Sequence, residues 1–483
     1  MNPKIVLRII SYLLLIVCAF MLTAVAVAIY FKEIAVAKTF FMVIAATVFV
    51  IGGFLFWIRS EHHAQPSFKD GFLFVTGSWV IVAALGALPF YLSGAIPSFC
   101  DAYFETISGF TTTGASILTE IQSLPHSILY WRSLTHWLGG MGIVVLTVAI
   151  LPLLGVGGLQ LVKAEAPGPT VDKITPRITE TAKYLWYIYL GMTVIETLLL
   201  MGGGMNFLDS LIHTFGTLAT GGFSTKNGSV EHFNSAYIDW VITFFMVAAG
   251  MNFVLHFRLL TGQARSLLKN SELKAYLLIF VTATLAIAWI LNLQVYPAFK
   301  DALRYSAFQV ASILTTTGFV SADYETWPHV AQAILFLLMF VGGCSGSTGG
   351  GIKVVRLVTL FKQAINEMKY LIHPKAIFPL RISGQVVPKN IVYAISGFFF
   401  LYIAILLIVT FIVCLSGVDL LSALAAALAT VGNIGPGFGI VGPTDNYAHF
   451  SDPIKWVLSF AMLAGRLELY TVLVLFTPMF WKR

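Results

Sequence analysis

Charged side chains are scarce in this sequence. Asp, Glu, Lys and Arg make up 11% of its 483 residues, whereas a soluble domain carries about 25%. Hydrophobic residues make up 58%, and the mean hydropathy is +0.86. This composition excludes a water-soluble globular protein and predicts a single membrane domain with many crossings.

Cysteine is also rare. The four cysteines are Cys18, Cys100, Cys344 and Cys414. They lie far apart and form no Cys-x-x-Cys pair, so neither a zinc site nor a disulfide framework is indicated. The net charge of +7 does not indicate nucleic-acid binding, because the basic residues lie between apolar segments. His, Asp and Cys do not cluster in an arrangement that would suggest a catalytic centre, and this disfavours a membrane enzyme.

Long apolar runs predict ten membrane crossings. The first ends at Tyr30 and is longer than the apolar region of a cleaved signal peptide. The other nine are 38–58, 72–95, 127–153, 184–203, 236–257, 275–294, 329–341, 390–415 and 453–480. Four shorter apolar stretches are predicted to be re-entrant: 100–113, 207–220, 301–317 and 419–433.

Basic residues predict the orientation of these segments. With both termini in the cytoplasm, 21 of the 29 Lys and Arg residues fall on the inner side of the membrane. The outer side then holds seven basic and thirteen acidic residues. Such an acidic vestibule concentrates cations, although any single acid there is equally well explained as a solvated loop residue.

One sequence plan occurs four times. An Asp opens a short apolar helix, a Thr/Gly-rich turn and an outer segment follow, and a spanning helix returns inward. Each Asp is predicted to be the helix N-cap. The four acids are Asp101, Asp209, Asp301 and Asp419, and the aligned glycines are Gly114, Gly221, Gly318 and Gly435.

The repeated turns predict an ion filter. Irregular backbone at membrane depth is tolerated where it lines a water-filled path or is buried in protein. Glycine allows the dihedral angles that direct successive carbonyls at one axis, where they replace a potassium ion's hydration shell. Thr and Gly also serve in helix packing, but four copies in one setting favour the filter. Its predicted residues are Thr112, Thr113, Gly114, Ala219, Thr220, Gly221, Thr316, Thr317, Gly318, Asn433, Ile434 and Gly435.

The four segments SGFTTTG, TLATGGFST, ILTTTGF and GNIGPGFG resemble the filter segments of the Trk/Ktr/HKT superfamily of potassium translocators, most closely those of its bacterial Trk members. The resemblance covers essentially the whole chain. It implies an all-α polytopic membrane fold of four M1–P–M2 repeats around one pore, preceded by an amino-terminal helix pair. It also implies a preference for potassium over sodium. Asn433 and Pro436 depart from the Thr-rich pattern of the other turns.

These repeats divide the chain into five parts. The amino-terminal helix pair is assigned to 1–68, and the four pore repeats to 69–182, 183–272, 273–388 and 389–483.

A glycine-rich segment follows the third repeat's filter. The apolar run 329–341 is too short to span a membrane, and 342–351 holds six glycines in ten residues, which predicts a broken helix. No strand precedes it and no Gly-Lys-Ser/Thr follows, so it is not a nucleotide-binding loop; a surface linker is the other interpretation. The resemblance implies an intramembrane gate. Its residues are Gly343, Ser345, Gly346, Ser347, Gly349 and Gly350.

Arg466 and Glu468 interrupt the last predicted span. Ionisable groups inside a membrane are functional candidates because their insertion is costly. Arg466 is explained either by an ion pair with another helix, for example with Glu196, or by a positive barrier below the filter, which the resemblance implies. Glu468 is expected to orient its neighbours.

The sequence therefore predicts potassium uptake down the ion's electrochemical gradient, with K⁺ as the transported substrate and no cofactor in this chain. A secondary transporter that couples K⁺ or Na⁺ to protons is the alternative. The resemblance implies a homodimer in the lipid membrane and a cytosolic regulatory ring of the TrkA type that binds nucleotide. The basic segment Lys353–Lys389 is a candidate contact for that ring, or an ordinary positive inner loop.

Overall fold

The computed structural model describes residues 3–57, 67–140 and 178–482. This part of the chain is mostly helical. It also contains one antiparallel hairpin, in which β1 (Arg381–Ile382) pairs with β2 (Gln385–Val386).

Two long helices precede the repeats. They are α1 (Pro3–Tyr30) and α2 (Ile34–Trp57), and α1 packs against α2 and against the first helix of the first repeat. Both are long and apolar enough to cross a membrane.

The first two repeats share an order of outer helix, short pore helix and returning helix. The first consists of α3 (Phe68–Leu92), α4 (Phe99–Phe110) and α5 (His126–Gly140). The second consists of α6 (Ile178–Gly202), α7 (Phe207–Ala219), α8 (Ala236–Ala249) and α9 (Phe253–Leu260), and α10 (Ala264–Lys269) leads to the third repeat.

The other two repeats follow the same order. The third consists of α11 (Ser271–Gln294), α12 (Phe299–Leu314), α13 (His329–Leu338) and α14 (Val354–Ile372). The fourth consists of α15 (Lys389–Cys414), α16 (Leu420–Val431), α17 (Asp452–Arg466), α18 (Tyr470–Leu473) and α19 (Pro478–Trp481).

The predicted spans need two corrections. The spans 236–257 and 453–480 are not continuous helices: α8 and α9 meet at 100°, and α17 and α18 at 114°. Asn252 begins α9 as its N-cap, and both Glu468 and Leu469 adopt positive φ after α17. Of the predicted span 127–153, the part after Gly140 lies outside the described residues.

The predicted break in 329–341 is present. Helix α13 ends at Leu338, and the glycine-rich segment separates it from α14.

The predicted aspartate caps are wrong in three repeats. Asp419 does cap α16, accepting a hydrogen bond from the Ser422 amide at 3.0 Å. In α4 and α7 the caps are Ser98 and Asn206, three residues earlier, and Asp101 and Asp209 lie in the first turn. Asp301 likewise lies in the first turn of α12, after Ala298. The acids therefore still stand at the positive end of the helix dipole.

The four repeats pack in a cyclic order. Within each repeat the outer helix packs on its own pore helix: α3 on α4, α6 on α7, α11 on α12 and α15 on α16. Between repeats, α5 packs on α7, α8 on α12, and α17 of the last repeat on α4 of the first. The pore helices are therefore enclosed by their own and neighbouring repeats, and their carboxyl ends converge.

Candidate functional site: a ring of four turns

All four pore helices end in the same hydrogen-bonded closure. The second residue after each helix has a left-handed backbone; after α7 it is the first residue. Its amide donates to the carbonyl three residues back, and the amide of the next residue donates to the carbonyl five residues before it. This is a Schellman closure, which satisfies carbonyls at a helix end. The left-handed residues are Thr112, Thr220, Thr316 and Asn433.

A second left-handed residue follows two positions later, and in every turn it is glycine. These are Gly114, Gly222, Gly318 and Gly435, with φ between 76° and 95°. All four line the same cavity, together with Arg132, Ser116 and Tyr447.

These glycines bring each turn against the next one. A Cβ on Gly114 would lie 2.1 Å from the Gly221 carbonyl oxygen, and one on Gly222 would lie 2.2 Å from that of Thr317. A Cβ on Gly318 would lie 2.2 Å from the Ile434 oxygen, and one on Gly435 would lie 2.6 Å from the Thr113 oxygen. The fourth turn therefore contacts the first, and the turns form a closed ring.

The second turn is shifted by one residue from its sequence alignment. Gly222, rather than Gly221, has the backbone and contacts of Gly114. Ala219 is the last residue of α7, so the segment equivalent to Thr112–Gly114 is Thr220–Gly222. The other three predicted segments have matching backbone geometry.

Three of the turns begin with a threonine whose backbone conformation is unusual. A β-branched residue with positive φ is a genuine outlier, and such strain persists where the surrounding structure fixes it. Thr112, Thr220 and Thr316 are buried. The arrangement points successive peptide groups of each turn in directions that a continuing helix would not allow.

The fourth turn reaches the same backbone with Asn433, a residue type that adopts the left-handed region more readily. Its side-chain amide donates to Thr113 Oγ1 and to the Met462 carbonyl, both at 2.9 Å. Asn433 therefore joins the last turn both to the first turn and to α17.

The glycine-rich segment lies against the ring on the side where the pore helices end. The Gly350 amide donates to Thr316 Oγ1 at 2.6 Å. A Cβ on Gly350 would lie 2.5 Å from the Gly432 carbonyl oxygen, and one on Gly349 would lie 2.9 Å from that of Thr315. The segment therefore contacts the third and fourth turns directly and is not a surface linker.

The glycine-rich segment is also anchored to the second repeat. The Cys344 amide donates to the Gly250 carbonyl at 2.8 Å, and the Phe253 amide donates to that of Gly346 at 3.0 Å. Both contacts lie at the bend between α8 and α9.

Glu272 joins this segment to the start of the helix that follows it. Its Oε1 accepts hydrogen bonds from the Ser345 amide at 2.7 Å and from the Val355 amide at 3.1 Å. Val355 is in the first turn of α14, so this carboxylate also satisfies a free amide at the start of that helix.

Arg466 binds this segment from the opposite side. Its guanidinium donates to the Thr348 carbonyl at 2.7 Å and to the Gly139 carbonyl at 2.9 Å. Both carboxylate oxygens of Glu196 lack a hydrogen-bond partner among the described residues, so the expected bond between Arg466 and Glu196 is not formed. Glu468 instead pairs with Arg356 of α14.

Sequence reasoning misplaces one buried ion pair. The distribution of charge assigns Arg132 and Glu105 to the outer surface, yet their side chains are 2% and 0% exposed and Arg132 Nε lies 2.6 Å from Glu105 Oε1. An ionisable residue in the predicted span 127–153 is the signal available in the sequence.

Comparison with known proteins agrees with this geometry. Residues 37–483 match the family model TrkH, described as a cation transport protein. The chain belongs to the TrkH family. It is 40% identical, over the whole of both chains, to the Trk system potassium uptake protein TrkH of Salmonella typhimurium. It is 42% identical to the TrkH protein of Halomonas elongata, again over the full length of both.

A solved TrkH-family structure has the same fold. The crystal structure of the potassium transporter TrkH from Vibrio parahaemolyticus covers all of this chain with a TM-score of 0.88 at 36% identity. A more distant relative, TrkG of Escherichia coli, is 35% identical over 96% of this chain. The helical membrane fold of four repeats expected from the sequence is thus confirmed, with one short β-hairpin in addition.

Proposed function

We propose that this protein carries potassium ions into bacteria across the plasma membrane, through the ring formed by the four turns. One observation carries the proposal: each turn places a glycine against a carbonyl oxygen of the next turn, so that backbone oxygens from four repeats surround one axis. Carbonyl oxygens replace the hydration shell of potassium in such filters. The names of the relatives support the choice of ion.

The proposed filter uses the corrected register. The central carbonyls are those of Thr113, Gly221, Thr317 and Ile434, which approach the glycines of the neighbouring turns. The four pore helices direct the negative ends of their dipoles toward the ring, which favours a cation there.

The glycine-rich segment is the proposed gate. It contacts the inner side of two turns and is held by hydrogen bonds at both ends. Arg466 adds a positive charge directly to this obstruction. Opening would move residues 342–351 away from the ring, which requires these contacts to break.

The arrangement in the cell is also part of the proposal. Both termini lie in the cytoplasm, as the distribution of basic residues favours. The chain forms a homodimer, and a cytosolic nucleotide-binding ring of the TrkA type regulates it through the basic segment Lys353–Lys389. The words "Trk system" in the relatives' names support a transport system of more than one component.

Ion flux in proteoliposomes tests the transport proposal. Rubidium uptake should follow an imposed potassium gradient, persist without a proton gradient and exceed sodium uptake. Uptake that requires a proton gradient would favour the coupled transporter instead. Restored growth of a potassium-uptake-deficient bacterium at low potassium provides a second test, with empty vector as the control.

A further inference from the structure

A buried ion pair lies behind the junction of the first and second turns. Arg132 comes from α5 and Glu105 from α4, and both side chains are almost completely buried. Partners in such a pair are costly to remove singly, because the other charge is then left without compensation in a low dielectric.

Glu105 holds the segment that follows the first turn. Its two carboxylate oxygens accept hydrogen bonds from Ser116 Oγ and from the Ile117 amide, each at 2.9 Å. Ser116 lies two residues after Gly114. The carboxylate therefore fixes the outward path of the chain as it leaves the ring.

Arg132 holds the corresponding segment of the second turn. Its Nη1 donates to the Ser224 carbonyl at 3.0 Å, and its guanidinium carbon lies 3.6 Å from the centre of the Phe223 ring. Ser224 lies two residues after Gly222. The planar guanidinium group thus contacts Glu105 through one nitrogen and the segment after the second turn through another.

The other junctions of the ring are also bridged. Ser229 Oγ accepts from the Val320 amide at 3.2 Å between the second and third turns. Tyr324 donates to the Gly437 carbonyl at 2.7 Å between the third and fourth turns. The Tyr447 amide donates to the Ser116 carbonyl at 2.8 Å between the fourth and first turns. At the first junction two charged side chains make the bridge, and charge-assisted hydrogen bonds are the stronger kind.

We propose that Arg132 and Glu105 are positioning residues that fix the spacing of the first two filter turns and thereby set the preference for potassium over sodium. The inference rests on the proposed function. Discrimination between the two ions depends on where the carbonyls are held, and this pair holds the segments directly beyond the carbonyls of two neighbouring turns.

The test compares rubidium and sodium uptake into liposomes for Arg132→Lys and Ser116→Ala. Lysine keeps the charge, but its single ammonium group cannot bind both Glu105 and the Ser224 carbonyl in the same geometry. The alanine variant removes the hydrogen bond from Ser116 to Glu105 and keeps the ion pair. Each variant weakens hydrogen bonding to a charged group, so the rubidium-to-sodium ratio should fall about threefold or more in Arg132→Lys and less in Ser116→Ala.

Lys455→Gln is the matched control. Lys455 forms another largely buried ion pair with the same pore helix, but its partner Asp101 lies at the outer end of α4, away from the turn. This variant should lower the melting temperature and keep the parent's ion ratio. If Arg132 had only a structural role, Arg132→Lys would likewise lower the melting temperature and keep the parent's ion ratio.

The outcomes separate the two proposals. A parent protein without rubidium preference would contradict the filter itself. A selective parent whose ratio is unchanged in both variants would overturn this inference alone. If Arg132→Lys cannot be recovered as folded protein, the ratio of Ser116→Ala decides, since that variant keeps both charges.

Discussion

At the residue scale, the geometry of the ring depends on the side chain that glycine lacks. Gly114 and Gly318 combine positive φ with a carbonyl oxygen within 2.2 Å of the place a Cβ would take. Any larger residue therefore meets both backbone strain and a steric clash. The clash falls on the oxygen proposed to bind the ion.

Replacing Gly114 or Gly318 by Ser should relax ion discrimination. The new side chain must displace a carbonyl of the next turn, and a loss of about 1.4 kcal/mol in potassium binding corresponds to about a tenfold fall in selectivity. The rubidium-to-sodium flux ratio measures this effect.

Gly417→Ser provides the control for the glycine variants. Gly417 also has positive φ, at 87°, but no atom lies within 4 Å of the place that a Cβ would take there. Gly417→Ser should therefore introduce backbone strain without changing the rubidium-to-sodium flux ratio. Unchanged ratios in both Gly114→Ser and Gly318→Ser would remove the filter assignment.

Arg466→Ala should raise basal flux. Two unit charges about 4 Å apart repel by about 4 kcal/mol at an effective dielectric of 20, and water in the pore would reduce this figure. The variant also loses the hydrogen bonds to Thr348 and Gly139. Rubidium uptake without any regulator measures the change.

Arg466→Lys separates charge from anchoring, since it keeps the charge and cannot make both hydrogen bonds in the same geometry. Arg265→Ala, on the exposed helix α10, controls for the loss of an inner basic residue. Flux equal to the parent's in a folded Arg466→Ala protein would show that the arginine is structural.

Two residue-level predictions fail for identifiable reasons. Asp101 and Asp209 are not caps, and a Ser or Asn three residues before an acid is itself a capping signal. In the second turn two consecutive glycines follow Thr220, and sequence alone offers no basis for choosing between Gly221 and Gly222. The choice depends on where α7 ends, and tertiary packing decides this.

At the scale of elements, the glycine-rich segment is held by other parts of the fold. Its contacts run to the turns, to the bend between α8 and α9, to Glu272 and to Arg466. An element with little packing of its own is the kind that opens locally at low cost. The length and glycines of the segment predict the break, but its partners come from distant repeats.

Deleting Ser345–Gly350 should raise basal flux and keep the preference for potassium. The deletion removes the obstruction beneath the ring, while the turns are closed by hydrogen bonds of their own. Control by a cytosolic partner should weaken. Flux in liposomes, with and without that partner, measures both effects.

Glu272→Gln tests the same gate without shortening the chain. It weakens the hold on the Ser345 and Val355 amides by removing the charge, so basal flux should rise to a smaller extent. Normal basal flux and normal regulation in both folded variants would identify the segment as a connector.

The bends in 236–257 and 453–480 could not be read from hydropathy. An averaging window registers apolar content, and both halves of each bent pair are apolar. Each break lies where the chain contacts another repeat. Gly250 and Phe253 hydrogen-bond to the glycine-rich segment, and Glu468 pairs with Arg356. Hydropathy therefore indicates where the apolar segments lie but not how they bend.

At the scale of the whole molecule, one carboxylate helps to join the amino-terminal helices to the repeats. Glu33, between α1 and α2, accepts hydrogen bonds from the His126 amide at 2.7 Å and from the Ser127 amide at 3.0 Å. These are free amides at the start of α5. Burial alone would raise the pKa of Glu33, but the hydrogen bonds from Ser127 and His126 favour its charged form, and the pKa lies below its ordinary value.

Glu33→Gln should therefore destabilise the protein at neutral pH by about 1 kcal/mol, the difference between hydrogen bonds to a charged acceptor and to a neutral one. A lowered pKa in the folded state means that the stabilisation is complete above the ordinary glutamate pKa and is lost as the pH falls through the lowered value. Melting temperatures in detergent from pH 7 downward should show the gap between parent and variant closing in acid.

Glu120→Gln, at an exposed outer carboxylate, serves as the control and should track the parent at every pH. A gap between parent and Glu33→Gln that persists well below the ordinary glutamate pKa would contradict the role assigned to the Glu33 charge.

Because one polypeptide supplies all four sides of the ring, its symmetry is only approximate. In a channel assembled from four identical subunits, a mutation alters every side at once, whereas here it alters one quarter. Asn433 already occupies a place that threonine takes in the other three turns, and it bonds to the first of them. Selection can thus adjust the sides separately, and an ion in the ring meets a directional, four-part environment rather than one contact repeated four times.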